Sequence, residues 1–143
     1  MAYDKAKFHY DGKFPADLPP ENGATHIGMF LAWAAQRGLT EDAFLDEEGI
    51  DVGAVRARRM TGRDLLVTAL DGVLSEDDLN DEGNAFAESY YLPGTYGEDY
   101  DNLFKGSHPT RCHVEDDWAN FDRVARMIDA RYAAWKSAGG SGD

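Results

Sequence analysis

The sequence predicts an all-α fold: a compact single-domain helical bundle with an extended, aromatic- and proline-rich N-terminal arm. Three observations carry that prediction. Trp118, Phe121, Ala125, Ile128, Tyr132 and Trp135 recur at intervals of 3, 4, 3, 4 and 3, one apolar stripe along a helix. Thr61 with Asp64, and Ser75 with Asp78, resemble capping boxes that open helices. No segment sustains the period-two alternation of a half-buried strand.

Residues 1–22 hold Phe8, Tyr10, Phe14, Pro15, Pro19 and Pro20, and the prolines discourage helix, so this stretch is expected to lie extended on the body. A first helix is expected from Thr25 to Gln36, capped by Thr25 and closed by Gly38. Ile27, Met29, Phe30, Leu31 and Trp33 make it apolar nearly all round, which belongs at the centre of a core. Thr40, Glu41 and Asp42 begin a short second helix, with acids favoured by the positive end of its dipole. The Thr61 and Ser75 boxes then introduce helices carrying Leu65, Leu66, Ala69 and Leu70, and Leu79, Phe86 and Tyr90. On the last helix Asp122 and Arg126 form an i,i+4 pair. Residues 1–136 are read as one domain and 137–143, with Gly139, Gly140, Ser141 and Gly142, as a flexible tail.

The chain has 143 residues, the size of one ordinary domain. Its 27 Asp and Glu against 14 Lys and Arg give a net charge of −13, which argues against nucleic-acid and anionic-membrane partners. The excess is localised. Between Thr40 and Asp101 stand 17 acids and four bases, and outside that stretch ten of each. No apolar run approaches the ~20 residues of a membrane span. The N-terminal residues do not form a secretory signal, and a single Cys112 suits a reducing compartment; a cytoplasmic protein is expected.

Spacing motifs for chemistry are missing: there is no His-Glu-x-x-His, no cysteine pair and no phosphate-cradling glycine loop. No catalytic residue, metal ligand or cofactor is therefore expected. Among His9, His26, His108 and His113, two deserve weighing. His26 reads as a buried histidine bonded to local backbone, with a functional role as the alternative. His113, Glu115, Asp116 and Asp117 could offer ligands, but acids just before Trp118 are what the last helix's dipole selects. Asp78 to Ser89 places acids and amides like a calcium loop but lacks the twelfth-position Glu. Cys112 beside His113 lacks a nucleophile signature and reads as a small buried residue.

The acidic section interleaves aromatics with carboxylates, and residues 93–105 read as an exposed loop. One reading is a solvated face over core aromatics. The sharper one is a surface for a basic protein, with Glu82, Glu88, Glu98, Asp99 and Asp101 steering the partner and Tyr91, Tyr96 and Tyr100 as anchors.

The block Thr25-His26-Ile27-Gly28-Met29-Phe30-Leu31-Ala32-Trp33 resembles a widespread small bacterial family of unknown biochemistry. So do Tyr3 to Tyr10, Phe14 to Pro19, Arg59 to Gly62, Leu79 to Asn84 and His113 to Trp118. The likeness runs from about Tyr3 to Trp135 and implies an association with immunity genes beside secreted bacterial toxins. The function expected is thus a non-enzymatic immunity protein that binds and neutralises a cognate basic toxin. The alternatives are a small hydrolase or metal-dependent enzyme using His26 or the His113–Asp117 cluster, and a protein-binding domain with no toxin partner.

Overall fold

The chain begins with a strand, β1 (Ala2–Lys5), followed by one turn of helix, α1 (Lys7–Tyr10), in a computed structural model that describes residues 1–10 and 14–140. Helices α2 (Thr25–Gln36), α3 (Asp42–Glu47), α4 (Val52–Arg56) and α5 (Gly62–Ala69) come next. A second strand, β2 (Val73–Ser75), precedes α6 (Asp81–Tyr90), α7 (Thr95–Leu103) and α8 (Trp118–Ser137). The architecture is mostly helical, with one small sheet.

That sheet corrects the extended arm, and it adds two short strands to a fold that is otherwise helical as expected. β1 pairs antiparallel with β2, Asp4 opposite Leu74 and Lys5 opposite Val73, and the ladder runs on through the Ala6 N–H donating to the Gly72 carbonyl at 2.8 Å. A register irregularity falls between Ala2 and Asp4, and Tyr3 and Asp4 are both buried. Strict alternation would send neighbours to opposite faces; a bulge lets consecutive side chains both turn to the core. The predicted tail begins at the last residue of α8, and its final three residues, 141–143, lie outside the described residues.

Helix α2 has the predicted bounds, and every residue from Thr25 to Ala35 is buried. Thr25 does not cap it; Ala24 occupies the cap and the Thr25 hydroxyl accepts from Arg63. Gly38, at φ +73°, closes its C-terminus in the left-handed region. Helices α2 and α5 cross with backbones touching: a Cβ on Gly62 would sit 1.8 Å from the Gly28 carbonyl oxygen, and one on Gly28 2.3 Å from the Arg63 nitrogen. Only glycine at both positions allows this approach.

Thr61 caps α5 as predicted, accepting from the Asp64 N–H at 3.2 Å. The Ser75–Asp78 box is real, but it opens a 3-10 turn over Glu76–Asp78; Asn80 caps α6. Residues 81–90 are helical, so the segment that resembles a calcium loop is not a loop. Asp117 caps α8, whose stripe packs Phe121 and Ile128 into the core and sets Tyr132 and Trp135 against Trp33 and Phe86. Asp122 pairs across the fold with Arg58 at 2.6 Å rather than along α8 with Arg126. Among the described residues no helix is long and apolar enough to cross a membrane.

Candidate functional site

Residues 93–105 are not the exposed loop expected of them. Gly94, at φ +98°, starts α7, and Tyr96, Tyr100 and Phe104 fall on one helical face at i, i+4 and i+8. Tyr96 and Tyr100 are 0% exposed and Tyr91 is buried, so none of the three presents an anchor to a partner. Of the five carboxylates grouped with them, three face cations: Asp99 binds Arg131 (2.8 Å), Asp101 binds Arg111 (2.7 Å) and Glu82 binds Lys136 (2.9 Å) while accepting from Tyr132. Glu88 and Glu98 are exposed.

The tyrosines lead inward, to a buried polar cluster. Asp4 arrives on β1, His9 on α1 and His26 on the first turn of α2. His9 Nε2 lies 2.8 Å from Asp4 Oδ1, and His26 Nε2 lies 3.4 Å from Asp4 Oδ2. The Tyr91 hydroxyl donates to Oδ2 at 2.6 Å and the Lys5 N–H to Oδ1 at 2.8 Å. The two imidazoles meet edge to face with centroids 4.4 Å apart, and the Tyr96 hydroxyl donates to the His26 carbonyl at 2.5 Å. Asp4, His9 and His26 come from three separate elements, brought together as the β1–β2 pairing sets Asp4 beside the N-terminus of α2, and Tyr91 joins them from 87 positions beyond Asp4.

His26 is 2% exposed, and its Nε2 has no hydrogen-bond partner among the described residues. It does not bond to local backbone through that nitrogen, as the sequence suggested; the atom faces Asp4 at ion-pair distance without hydrogen-bond alignment. Burial pushes the imidazole down to about 4, against the opposing pull of Asp4. At Asp4 burial raises the carboxyl, but the His26, His9 and Tyr91 contacts outweigh it and hold it well below the usual range. At neutral pH an ionised carboxylate therefore sits beside a neutral imidazole. Asp4, His9 and His26 bring their ligand atoms within 4.8 Å of one another.

The His113–Asp117 residues do not converge. His113 meets Asp17 (3.1 Å) and Thr110, Glu115 meets His108 (3.1 Å), Asp116 accepts from Thr61 and pairs with Arg63, and Asp117 caps α8. Cys112 is buried, and burial pushes its thiol up, away from the reactive thiolate. Sequence reasoning missed Asp4 and His9 as partners of His26. The one available signal was an Asp and a His five residues apart in a segment that also holds Tyr3, Phe8 and Tyr10.

A second feature lies on the surface. Thr40 bridges to Leu79 and the Glu41 N–H donates to the Asp78 carbonyl at 3.0 Å, which joins the acidic runs 41–51 and 76–81 into one face. Asp42 pairs with Arg56, and Glu76 with the N-terminal amine. Glu41, Asp46, Glu47, Glu48, Asp77 and Asp81 are exposed and form no ion pair among the described residues. Beside α3 is a hollow of about 500 Å³, lined by Asp42, Asp46, Asp51 and Arg56 over Ile50 and Val52.

The chain matches, over residues 2–114, the family described as Domain of unknown function (DUF7832), and it belongs to that family. Comparison with curated proteins and with solved structures finds no match.

Proposed function

We propose that this member of a family of unknown function is a non-enzymatic immunity protein of the cytoplasm that captures and neutralises a cognate basic toxin. The observation that carries the reading is the merging of two acidic runs into one face. Asp46 and Glu47 occupy the last turn of α3, followed by Glu48 at its C-cap, with no basic residue in that turn. Carboxylates there face the negative helix end, so stability gives no reason for them. A field of that sign steers a cationic partner and accelerates encounter. The hollow beside α3, with carboxylates around an apolar floor, suits an inserted Lys or Arg side chain. The steering surface is therefore assigned to residues 41–51 and 76–81, with Glu88 and Glu98 as outlying charges, and the buried tyrosines serve the core.

The test is whether a neighbouring gene encodes a secreted protein with a variable C-terminal domain, and then association kinetics with that domain at two salt concentrations. Fast binding at low salt that slows steeply as the ~8 Å Debye length of physiological salt is approached supports the reading. Binding that is absent, or unchanged by salt, overturns it.

A further inference from the structure

We propose that Asp4, His9 and His26 form a binding site for one divalent transition-metal ion of the zinc class, independent of the acidic face. Two ligands of one zinc ion, each bonded at about 2.0–2.2 Å, stand roughly 3–3.5 Å apart in a tetrahedral arrangement. The 3.4 Å from His26 Nε2 to Asp4 Oδ2 falls in that range, His9 Nε2 lies 2.8 Å from the other oxygen, Oδ1, and one ligand atom from each of the three residues lies within 4.8 Å of the others.

The second observation is the state of His26. A 2%-exposed Nε2 without a hydrogen bond is costly in a core, and this one points at a carboxylate and a second imidazole. A cation between them would use its lone pair. The supports around Asp4 are those of a metal ligand as well: Tyr91 and the Lys5 N–H hold one carboxylate oxygen each, which fixes its orientation. Two imidazoles and one carboxylate favour zinc, cobalt or iron(II) over magnesium and calcium, which prefer all-oxygen shells. The linear motifs absent from the sequence do not bear on this site, because its ligands come from a strand, a single turn and a core helix.

The competing account is a metal-free polar network that anchors β1 to α2. Untagged protein is stripped with chelator and titrated with Zn²⁺, Co²⁺ and Mg²⁺, read by native mass spectrometry, melting temperature and the visible absorption of Co²⁺. The expected result is one Zn²⁺ or Co²⁺ per chain, a raised melting temperature, cobalt bands of a nitrogen- and oxygen-ligated ion, and no response to Mg²⁺. His9→Ala, with its folding checked by circular dichroism, weakens Zn²⁺ binding at least 100-fold, and His26→Ala does the same where it folds. The double variant His108→Ala/His113→Ala keeps full binding. The proposal is overturned by wild-type protein that takes up no stoichiometric metal, or by binding that survives His9→Ala and disappears in the double variant.

Discussion

The interior cluster around Asp4 and the outer face around α3 use the same chemical group in opposite ways. Asp4 is withdrawn from water and surrounded by partners: Tyr91, the Lys5 N–H, His9 and His26. Asp46, Glu47, Glu48 and Asp77 are left in water and, among the described residues, without counter-ions. A buried carboxylate is tolerated only when its donors are in place, and losing them costs far more than their net contribution. An exposed, unpaired carboxylate adds nothing to folding, and several together repel. The first region is therefore bound to the fold's stability, whereas the second is free to serve a partner.

The largest effect that could break this division is expected at Tyr96, whose ring fills the space between Phe30, Tyr90 and Tyr91 and whose hydroxyl donates to the His26 carbonyl. Tyr96→Ala should cost about 3–5 kcal/mol, the range for truncating a large core residue, as measured by denaturant unfolding. An unchanged melting temperature with lost partner binding would instead return Tyr96 to the surface. Next is Asp4→Ala in metal-free protein, expected to cost about 3 kcal/mol because Tyr91 and the Lys5 N–H lose their buried acceptor. A cost below about 0.5 kcal/mol would remove Asp4 from the list of structural anchors.

The helices that position both regions were legible in the sequence wherever periodicity ran long enough. α2 and α8 are twelve and twenty residues long, Thr61 marks the start of α5 chemically, and Asp117 marks that of α8. β1 escaped because four residues cannot display alternation, and its bulge buries neighbours that should have parted. α7 escaped for a different reason. Pro93 and Gly94 suggested a loop, and the acids between the tyrosines hid a Tyr96–Tyr100–Phe104 stripe at helical spacing. The Asp4–His9–His26 cluster had no linear signature, since Asp4 is set beside His26 by the pairing of β1 with β2, some 70 residues on. Likewise the acidic face joins two runs that the sequence separates by α4 and α5.

The outer region is sharpened by neutralising it. Asp46→Asn, Glu47→Gln, Glu48→Gln and Asp77→Asn together should leave stability within about 0.5 kcal/mol of wild type, or raise it slightly by relieving repulsion. The same variant should bind the basic partner with an on-rate about tenfold lower at low salt and with a weaker salt dependence. Glu88→Gln with Glu98→Gln, lying outside that face, should change the on-rate much less. Equal losses from the two variants would spread the steering field over the whole molecule.

The smallest effect is expected at Asp129, which stands between the two extremes. It is partly exposed, yet it accepts from the buried Trp33 indole at 2.8 Å and from Arg37 at 2.6 and 2.9 Å. The Arg37 hydrogen bonds, with Trp33 and the guanidinium charge, outweigh partial burial and hold its carboxyl below the usual range. Asp129→Asn retains an oxygen for the indole and removes only the charge, so it isolates the ion pair; a surface pair of this exposure contributes at most about 1 kcal/mol. A carboxyl whose folded value is depressed stabilises the fold above its unfolded value and loses that contribution as pH falls through the folded one. The difference between wild type and Asp129→Asn should thus be full at pH 6, begin to shrink near pH 4 and vanish in stronger acid. Unfolding curves for both proteins over that range measure it. A difference that persists undiminished below pH 2 would assign the effect to packing at Trp33, and Asp129 would then belong with the interior carboxylates rather than with the paired surface ones.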